Sequence, residues 1–239
     1  MMFEPGFQPE PRVPGMGLGF DRNPVGDHLV VGHGGILPGF NSQLFVAPED
    51  GVGVIAFTTG ARLAMLWLPT ELGRLLREIL GEPRDAIRTD VPQRPETWSE
   101  LCGRYGYTGR LLDVRARMMT GAGAFVSVDG DRLVLRLLSP IPAMLRGFAL
   151  VPDDPDDPYV FRVDLEKLGL PTARVVFSRD DRGVTGLHLD IFPMSLRKQD
   201  PPPAESRARF VRAVGFSVAA TSAFMAGRRV IATRRRVAV

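Results

Sequence analysis

The sequence predicts an α+β chain: a small antiparallel sheet closed by one amphipathic helix, followed by a small antiparallel β-barrel. Three observations carry that prediction. From residue 17 to 58, short β-rich runs are punctuated by Gly, Pro, Asn and Asp, the pattern of antiparallel strands with tight connections. One stretch between residues 61 and 80 switches to helical periodicity. Short strands with turn signals then return from residue 96 to 198, as in a small barrel or sandwich.

Residues 1–16 hold four prolines and two glycines and read as an extended lead-in, because proline fixes φ and disfavours helix for its predecessor. Gly17–Phe20, Leu29–Gly32, Ser42–Ala47 and Val52–Thr58 follow as strands, the last two joined by a hairpin turn at Pro48-Glu49-Asp50-Gly51. Leu68, Leu72, Leu75, Leu76 and Ile79 recur at helical spacing with Glu71, Arg74, Arg77 and Glu78 opposite them, so this stripe is expected to pack on the sheet. Pro69 either opens the helix or kinks a longer one beginning near Ala61, and Gly81 stops it.

Residues 82–95 have linker composition, with three prolines and several charges. The domain organisation expected is therefore 1–81, a linker at 82–95, a β unit at 96–199, and a proline spacer with an arginine-rich apolar tail at 200–239. In the β unit, Ala124–Val128 and the alternating Leu133, Leu135 and Leu137 flank an Asp129-Gly130 turn. Val160–Val163, Arg174–Ser178 and Gly183–Ile191 repeat the pattern, with Asp180-Asp181-Arg182-Gly183 as another turn. Pro152–Pro158 reads as a solvated acidic turn rather than a cation site, because its four Asp have no convergent ligands. His28 and His188 read as surface positions on strands.

The single cysteine, Cys102, excludes an intramolecular disulfide. No His/Cys/Asp/Glu cluster has zinc spacing and no glycine-rich phosphate loop occurs, so neither a metal nor another cofactor is expected. The formal charge of +3 is uneven: residues 207–239 contain eight arginines and no acid, leaving 22 basic against 27 acidic residues elsewhere, a balance of −5. The start lacks a secretory signal pattern, and no uncharged apolar run reaches ~18 residues, the length of a membrane span. A cytoplasmic location is the default expectation. The apolar stretch Val214–Ala226 between arginine clusters nevertheless makes Arg207–Val239 a candidate for contact with an anionic membrane surface, with unstructured sequence as the other reading. Nucleic acid is not an expected partner, since no aromatic interleaving accompanies the arginines.

The run Gly32-His33-Gly34-Gly35-Ile36-Leu37-Pro38-Gly39-Phe40-Asn41-Ser42 carries the chemistry. Together with Gly17-Leu18-Gly19-Phe20, Pro48-Glu49, the Val52–Thr59 strand and the helix after it, it resembles the C-terminal portion of the serine β-lactamase and penicillin-binding-protein-like hydrolases, including esterase-like members. The resemblance implies a partial β-lactamase-like antiparallel sheet with a C-terminal helix. It also implies that His33, Gly34, Gly35 and Ile36 form a substrate-pocket and oxyanion wall, with the Ile36 N–H as one oxyanion donor. Fixed backbone donors stabilise the charge built up in acyl transfer without reorganising, and glycines let substrate approach the strand. Trp98, Gly103, Tyr105, Val175-Val176-Phe177-Ser178-Arg179-Asp180 and Gly183 are similar to the C-terminal lipocalin-like domain that such hydrolases often carry.

Two elements of that family are missing. Its nucleophile is a Ser-x-x-Lys turn upstream of the triplet, whereas Ser195-Leu196-Arg197-Lys198 lies downstream and reads as chance. Tyr105, Tyr107 and Tyr159 are followed two places on by Tyr107, Gly109 and Phe161, so no Tyr-x-Asn or Tyr-x-Ser occurs. No catalytic residue is therefore assigned, and a Ser42, His33, Asp27 triad is only a combination that the sequence permits. The expected function is a truncated β-lactamase-related serine hydrolase, inactive alone, with an upstream-encoded hydrolase segment as partner. The competing expectation is a non-catalytic lipocalin-like module for an apolar ligand or protein partner, with Met118-Met119 and Ile141–Leu145 at its mouth.

Overall fold

A computed structural model describes residues 2–60, 64–83, 86–107, 123–139, 142–166, 170–190 and 194–199. They are mostly antiparallel β with few helices, in two sheets. The tail from residue 200 onward, Met118-Met119 and Ile141 lie outside the described residues.

The first sheet has four strands in sequence order: β1 (Asp21–Arg22), β2 (Val31–Leu37), β3 (Phe40–Ala47) and β4 (Val52–Thr59). Gly17–Phe20 does not form the expected strand. There the lead-in bends back, with Met16 bridging both Phe7 and Asp21. Gly39 and Gly51 take positive φ (84° and 66°) in the two hairpin turns, a conformation that glycine adopts without a Cβ clash.

Directly opposed residues of antiparallel strands share a sheet face. His33, Leu44 and Ile55 therefore make one cross-strand row, Gly35, Ser42 and Phe57 the next, and Leu37, Phe40 and Thr59 the last. The opposite face carries Phe45, Ala47, Val52 and Val54, which pack with Val25, Val30 and Leu76. That is where helix α1 (Ala64–Ile79) sits, with Pro69 inside it, so the longer of the two expected helices forms. Gly81 (φ 75°) ends it: Gly81 N–H donates to Glu78 O and Glu82 N–H to Arg77 O, the paired closure of a Schellman motif. Leu68, Leu72 and Leu76 are buried, whereas Leu75 and Ile79 stay half exposed. The expected stripe is thus wider than the surface it covers.

After a 3-10 turn (Pro95–Thr97) and the short helix α2 (Trp98–Leu101), the second sheet begins with β5 (Gly103–Tyr107), β6 (Ala124–Asp129) and β7 (Arg132–Leu137). Helix α3 (Pro142–Arg146) then leads to β8 (Phe148–Ala149), β9 (Val151–Pro152) and β10 (Val160–Val163). The chain finishes with β11 (Ala173–Asp180), β12 (Gly183–Leu189) and β13 (Met194–Gln199). The order β8-β7-β6-β5-β13-β12-β11-β10-β9 puts the outermost strands on either side of a single residue, Leu150. That residue is fully buried and donates its N–H to Leu133 O. One bent strand thereby serves both margins and nearly closes the barrel, a device that removes free edges.

Large side chains fill the barrel interior. Phe177 meets Tyr105 and Phe161 edge-on, both with ring centroids 5.7 Å away, and Leu133, Leu135, Leu187 and Leu196 pack around them. Each such fully buried side chain contributes about 1.5–3 kcal/mol. Trp98 and Leu101 of α2 join this core, and Tyr105 Oη donates to Leu101 O at 2.6 Å.

Candidate functional site

The glycine run is strand, not turn. His33, Gly34, Gly35 and Ile36 lie in β2, paired on one side to Leu44, Gln43, Ser42 and Asn41. On its other side β2 meets β1 only through Val31 and Gly32, so among the described residues no strand pairs with the outer edge from His33 to Leu37. Ile36 is 60% exposed there.

The glycines at 32, 34 and 35 are sterically required. A Cβ at Gly32 would sit 2.5 Å from the Phe45 ring, at Gly34 2.9 Å from Gln43 Oε1, and at Gly35 2.5 Å from Ser42 Oγ. Gly32 and Gly34 therefore accommodate packing on the helix-bearing face. Gly35 leaves room for the Ser42 hydroxyl on the open face, in the row that ends at Phe57.

His33 is held by its surroundings. Its Nδ1 lies 2.8 Å from Gly19 O, and since a carbonyl only accepts, Nδ1 carries a proton and donates it there. Phe20 packs edge-on to the imidazole at 6.3 Å and is itself braced by Phe3 at 5.3 Å. The bend at Gly17–Phe20 thus orients the histidine. Asp21, next along the chain, has its carboxyl pushed up by burial, with the charge of His33 acting against that shift.

These contacts dissolve the Ser42, His33, Asp27 combination. The nitrogen that would face a carboxylate is taken by Gly19 O, and Asp27 is exposed at the turn closed by Val25 and His28. Ser195-Leu196-Arg197-Lys198 likewise makes no nucleophile turn, because all four residues belong to β13. Residues three apart on a strand point to opposite faces. Lys198 Nζ donates to Glu100 O, and its ammonium pKa is lowered by burial against the charges of Cys102 and Glu100.

One serine does lie beside an imidazole, but on the barrel. Ser178 Oγ is 3.1 Å from His188 Nε2. His188 is buried rather than at the surface, because lead-in residues cover this outer patch of β10, β11 and β12: Val13 packs on Val160 and Val176. Arg12 bonds Glu10 at 2.8 Å, Asp157 at 2.5 Å and Phe177 O at 2.9 Å. His188 Nδ1 has no hydrogen-bond partner among the described residues, so no third group completes a triad. Only the three-dimensional course of the lead-in reveals this cluster.

The acidic loop is ion-paired. Asp153, 7% exposed, binds Arg162 Nε at 3.0 Å and an Arg174 guanidinium nitrogen at 3.2 Å, and Asp157 binds Arg12. Among the described residues no three His, Cys, Asp or Glu are grouped to hold a metal, and no helix is long and apolar enough to cross a membrane.

No protein-family model matches the chain, and no curated protein does. Among solved structures, SurE with D-Leu shows 18% identity and a TM-score of 0.46, covering 79% of this chain and 39% of that one. The octameric penicillin-binding protein homologue from Pyrococcus abyssi shows 21% identity and a TM-score of 0.28, covering 77% of this chain and 37% of that one. The chain spans about two fifths of the length of each. Both likenesses are weak.

Proposed function

We propose that this chain supplies the pocket-wall part of a β-lactamase-related serine hydrolase, followed by a lipocalin-like barrel, and that it is inactive alone. The observation that carries the reading is the ledge on β2: a glycine-lined outer edge beginning at a histidine whose ring is fixed by its Nδ1 contact with Gly19 O. The units proposed are 1–81 for the sheet and helix, 82–95 for the linker and 96–199 for the barrel.

In acyl transfer, a serine oxygen bonds to the substrate carbonyl carbon, its proton passes to a base, and the leaving group departs with a proton. Water then releases the acyl group and restores the serine. The ledge can contribute to this sequence by lining the pocket, with the Ile36 N–H facing the carbonyl oxygen and the His33 ring beside the substrate. The attacking oxygen and its base come from a separate polypeptide segment, because the Ser-x-x-Lys of this chain lies along a barrel strand.

The competing module for an apolar ligand receives no support from the barrel interior, where Tyr105, Phe161 and Phe177 occupy the centre. Met144, expected at the mouth, is packed into the core. Hydrolysis of p-nitrophenyl butyrate by the purified chain tests the proposal, with covalent labelling by a fluorophosphonate as a second readout. No turnover above buffer and no labelled serine are expected. Robust turnover overturns the claim of inactivity, and its loss in Ser195→Ala assigns the nucleophile to β13.

A further inference from the structure

We propose that the tip of the lead-in, residues 8–15, is an acid-released latch: it docks on the outer wall of the barrel near neutral pH and comes away on acidification while both sheets stay folded. The tip is built to move as a unit. Its base is closed by the Phe7–Met16 bridge, where Gly6 and Phe7 N–H both donate to Met16 O and Met16 N–H donates to Phe7 O. Within the loop, Gln8 Nε2 donates to Val13 O at 2.8 Å and to Pro11 O at 3.2 Å, and Val13 N–H donates to Glu10 O. All these bonds lie inside the lead-in, so release leaves them intact. Docking rests on side chains instead. Val13 packs with Val160 and Val176 in an apolar cluster separate from the barrel interior, and Arg12 reaches Asp157 and Phe177 O. Among the described residues no backbone–backbone hydrogen bond joins residues 8–15 to the barrel, so the contact can open locally without unpairing a strand.

The wall beneath the tip carries the trigger. His188 is 5% exposed, with Nε2 at 3.1 Å from Ser178 Oγ and Nδ1 without a partner among the described residues. Gly186 permits that contact, since a Cβ there would stand 2.6 Å from Ser178 Oγ and 3.1 Å from His188 Nε2. A protonated imidazole donates from both nitrogens, and a buried cation short of a partner is costly, so the docked state resists a proton that the released state takes from water. From the tip, Glu10 favours the cation and Arg12 opposes it, and burial together with Arg12 prevails. On the same sheet face, Arg197 of β13 lies beside Gly186, and Arg162 and Arg174 of β10 and β11 are paired to Asp153. Asp190, just past β12, accepts from the Arg174 N–H. Its carboxyl is pushed up to about 6 by burial, so its protonation favours the closed form and opposes the opening rather than imitating it. The proposal is independent of the hydrolase reading.

Thiol accessibility in the full 239-residue chain tests it. Val176→Cys with Cys102→Ser places one thiol under Val13, and its reaction with the uncharged disulfide 4,4′-dithiodipyridine is read relative to a free thiol at the same pH. From about pH 7.5 to about pH 5 the relative rate should rise roughly three- to thirtyfold, the upper bound being one proton taken up with the ordinary histidine value of 6.5. Circular dichroism should not change over that range. His188→Gln, which keeps an amide near Ser178 Oγ but does not titrate, should flatten the rise, and Arg12→Ala should label fast at every pH. In the chain without substitutions, methyl NOEs from Val13 to Val160 and Val176 should weaken over the same range. A flat profile, a rise retained in His188→Gln, slow labelling of Arg12→Ala, loss of the dichroism signal along with the rise, or NOEs of constant strength would each overturn the latch.

Discussion

Arg12 is the residue whose loss should be felt furthest from its place in the sequence. Its guanidinium joins three groups brought from residues 10, 157 and 177: the carboxylates of Glu10 and Asp157 and the carbonyl of Phe177. Truncation by Arg12→Ala removes all three contacts and leaves Glu10, 10% exposed, without its cation. Hydrogen bonds to charged groups contribute about 1.5–3 kcal/mol each. Because the Arg12 and Asp157 side chains are 33% and 26% exposed, solvent screening reduces the sum, and about 2–4 kcal/mol is expected. For a chain of this size that corresponds to a fall in Tm of about 5–15 °C, measured by calorimetry. Arg12→Lys, which keeps the charge but lacks the planar fork of donors, should recover part of the loss. A shift within about 1 °C would refute the reasoning, because it would mean that the lead-in is not held by this residue.

Acid supplies the second arm of the same experiment. Burial works to raise the Glu10 pKa, but the hydrogen bond and charge of Arg12 outweigh it and the net shift is downward. A depressed carboxyl contributes stability that is complete above its ordinary value of 4.5 and is lost as pH falls through the folded-state value. His188 is lowered by burial and by Arg12 against the opposing charge of Glu10, so below its ordinary value of 6.5 the unfolded chain takes up the proton first. Both groups therefore make the covered patch weaken on acidification. Asp190 acts oppositely: burial pushes its carboxyl up to about 6, and its contribution declines as pH rises from 3.8 to that value. The difference between wild type and Arg12→Ala carries the Arg12-dependent parts of both Glu10 and His188. It should shrink below pH 4.5, and a difference that is constant with pH would exclude the coupling.

Two further outcomes are expected. Gly32→Ala should lower stability by about 1–3 kcal/mol through overpacking, since its Cβ meets the braced Phe45 ring, whereas Gly35→Ala should cost less because the Ser42 hydroxyl can rotate away; thermal melts giving the reverse order would contradict the packing described. Cosedimentation with anionic vesicles should be stronger for the full chain than for one ending at residue 206, and equal binding would remove the membrane-surface reading of the arginine-rich segment.

Strand and turn chemistry was legible wherever one face of an element is buried by its own neighbours. The hairpins around Gly51, Gly130 and Gly183, the α1 stop at Gly81 and the alternation of Leu133, Leu135 and Leu137 could all be read locally. Misreadings arose where a distant part of the chain changes the environment. His188, between Leu187 and Leu189, has the period of an outward-facing residue and does face away from the barrel interior. It is buried because residues from the lead-in, such as Val13 and Glu10, lie over that patch. The apolar pattern does not show strand β13, because Lys198 occupies the same alternating phase as Leu196 and interrupts it. The long stem of the lysine lets its ammonium reach Glu100 O. At the ledge, the glycines and His33 are identifiable by residue type, but the fixing of the imidazole by Gly19 O depends on a bend at Gly17–Phe20 where the sequence predicts a strand.

The course of the chain through Leu150 has a consequence for how the barrel fails. With one short segment hydrogen-bonded to β7 before that residue and to β10 after it, the seam has no independent halves. Scission there would free two margins in a single event, leaving a curled ribbon with ragged ends in place of a tube. Fraying at that point and loss of the enclosed aromatic cluster should consequently be one cooperative transition rather than two.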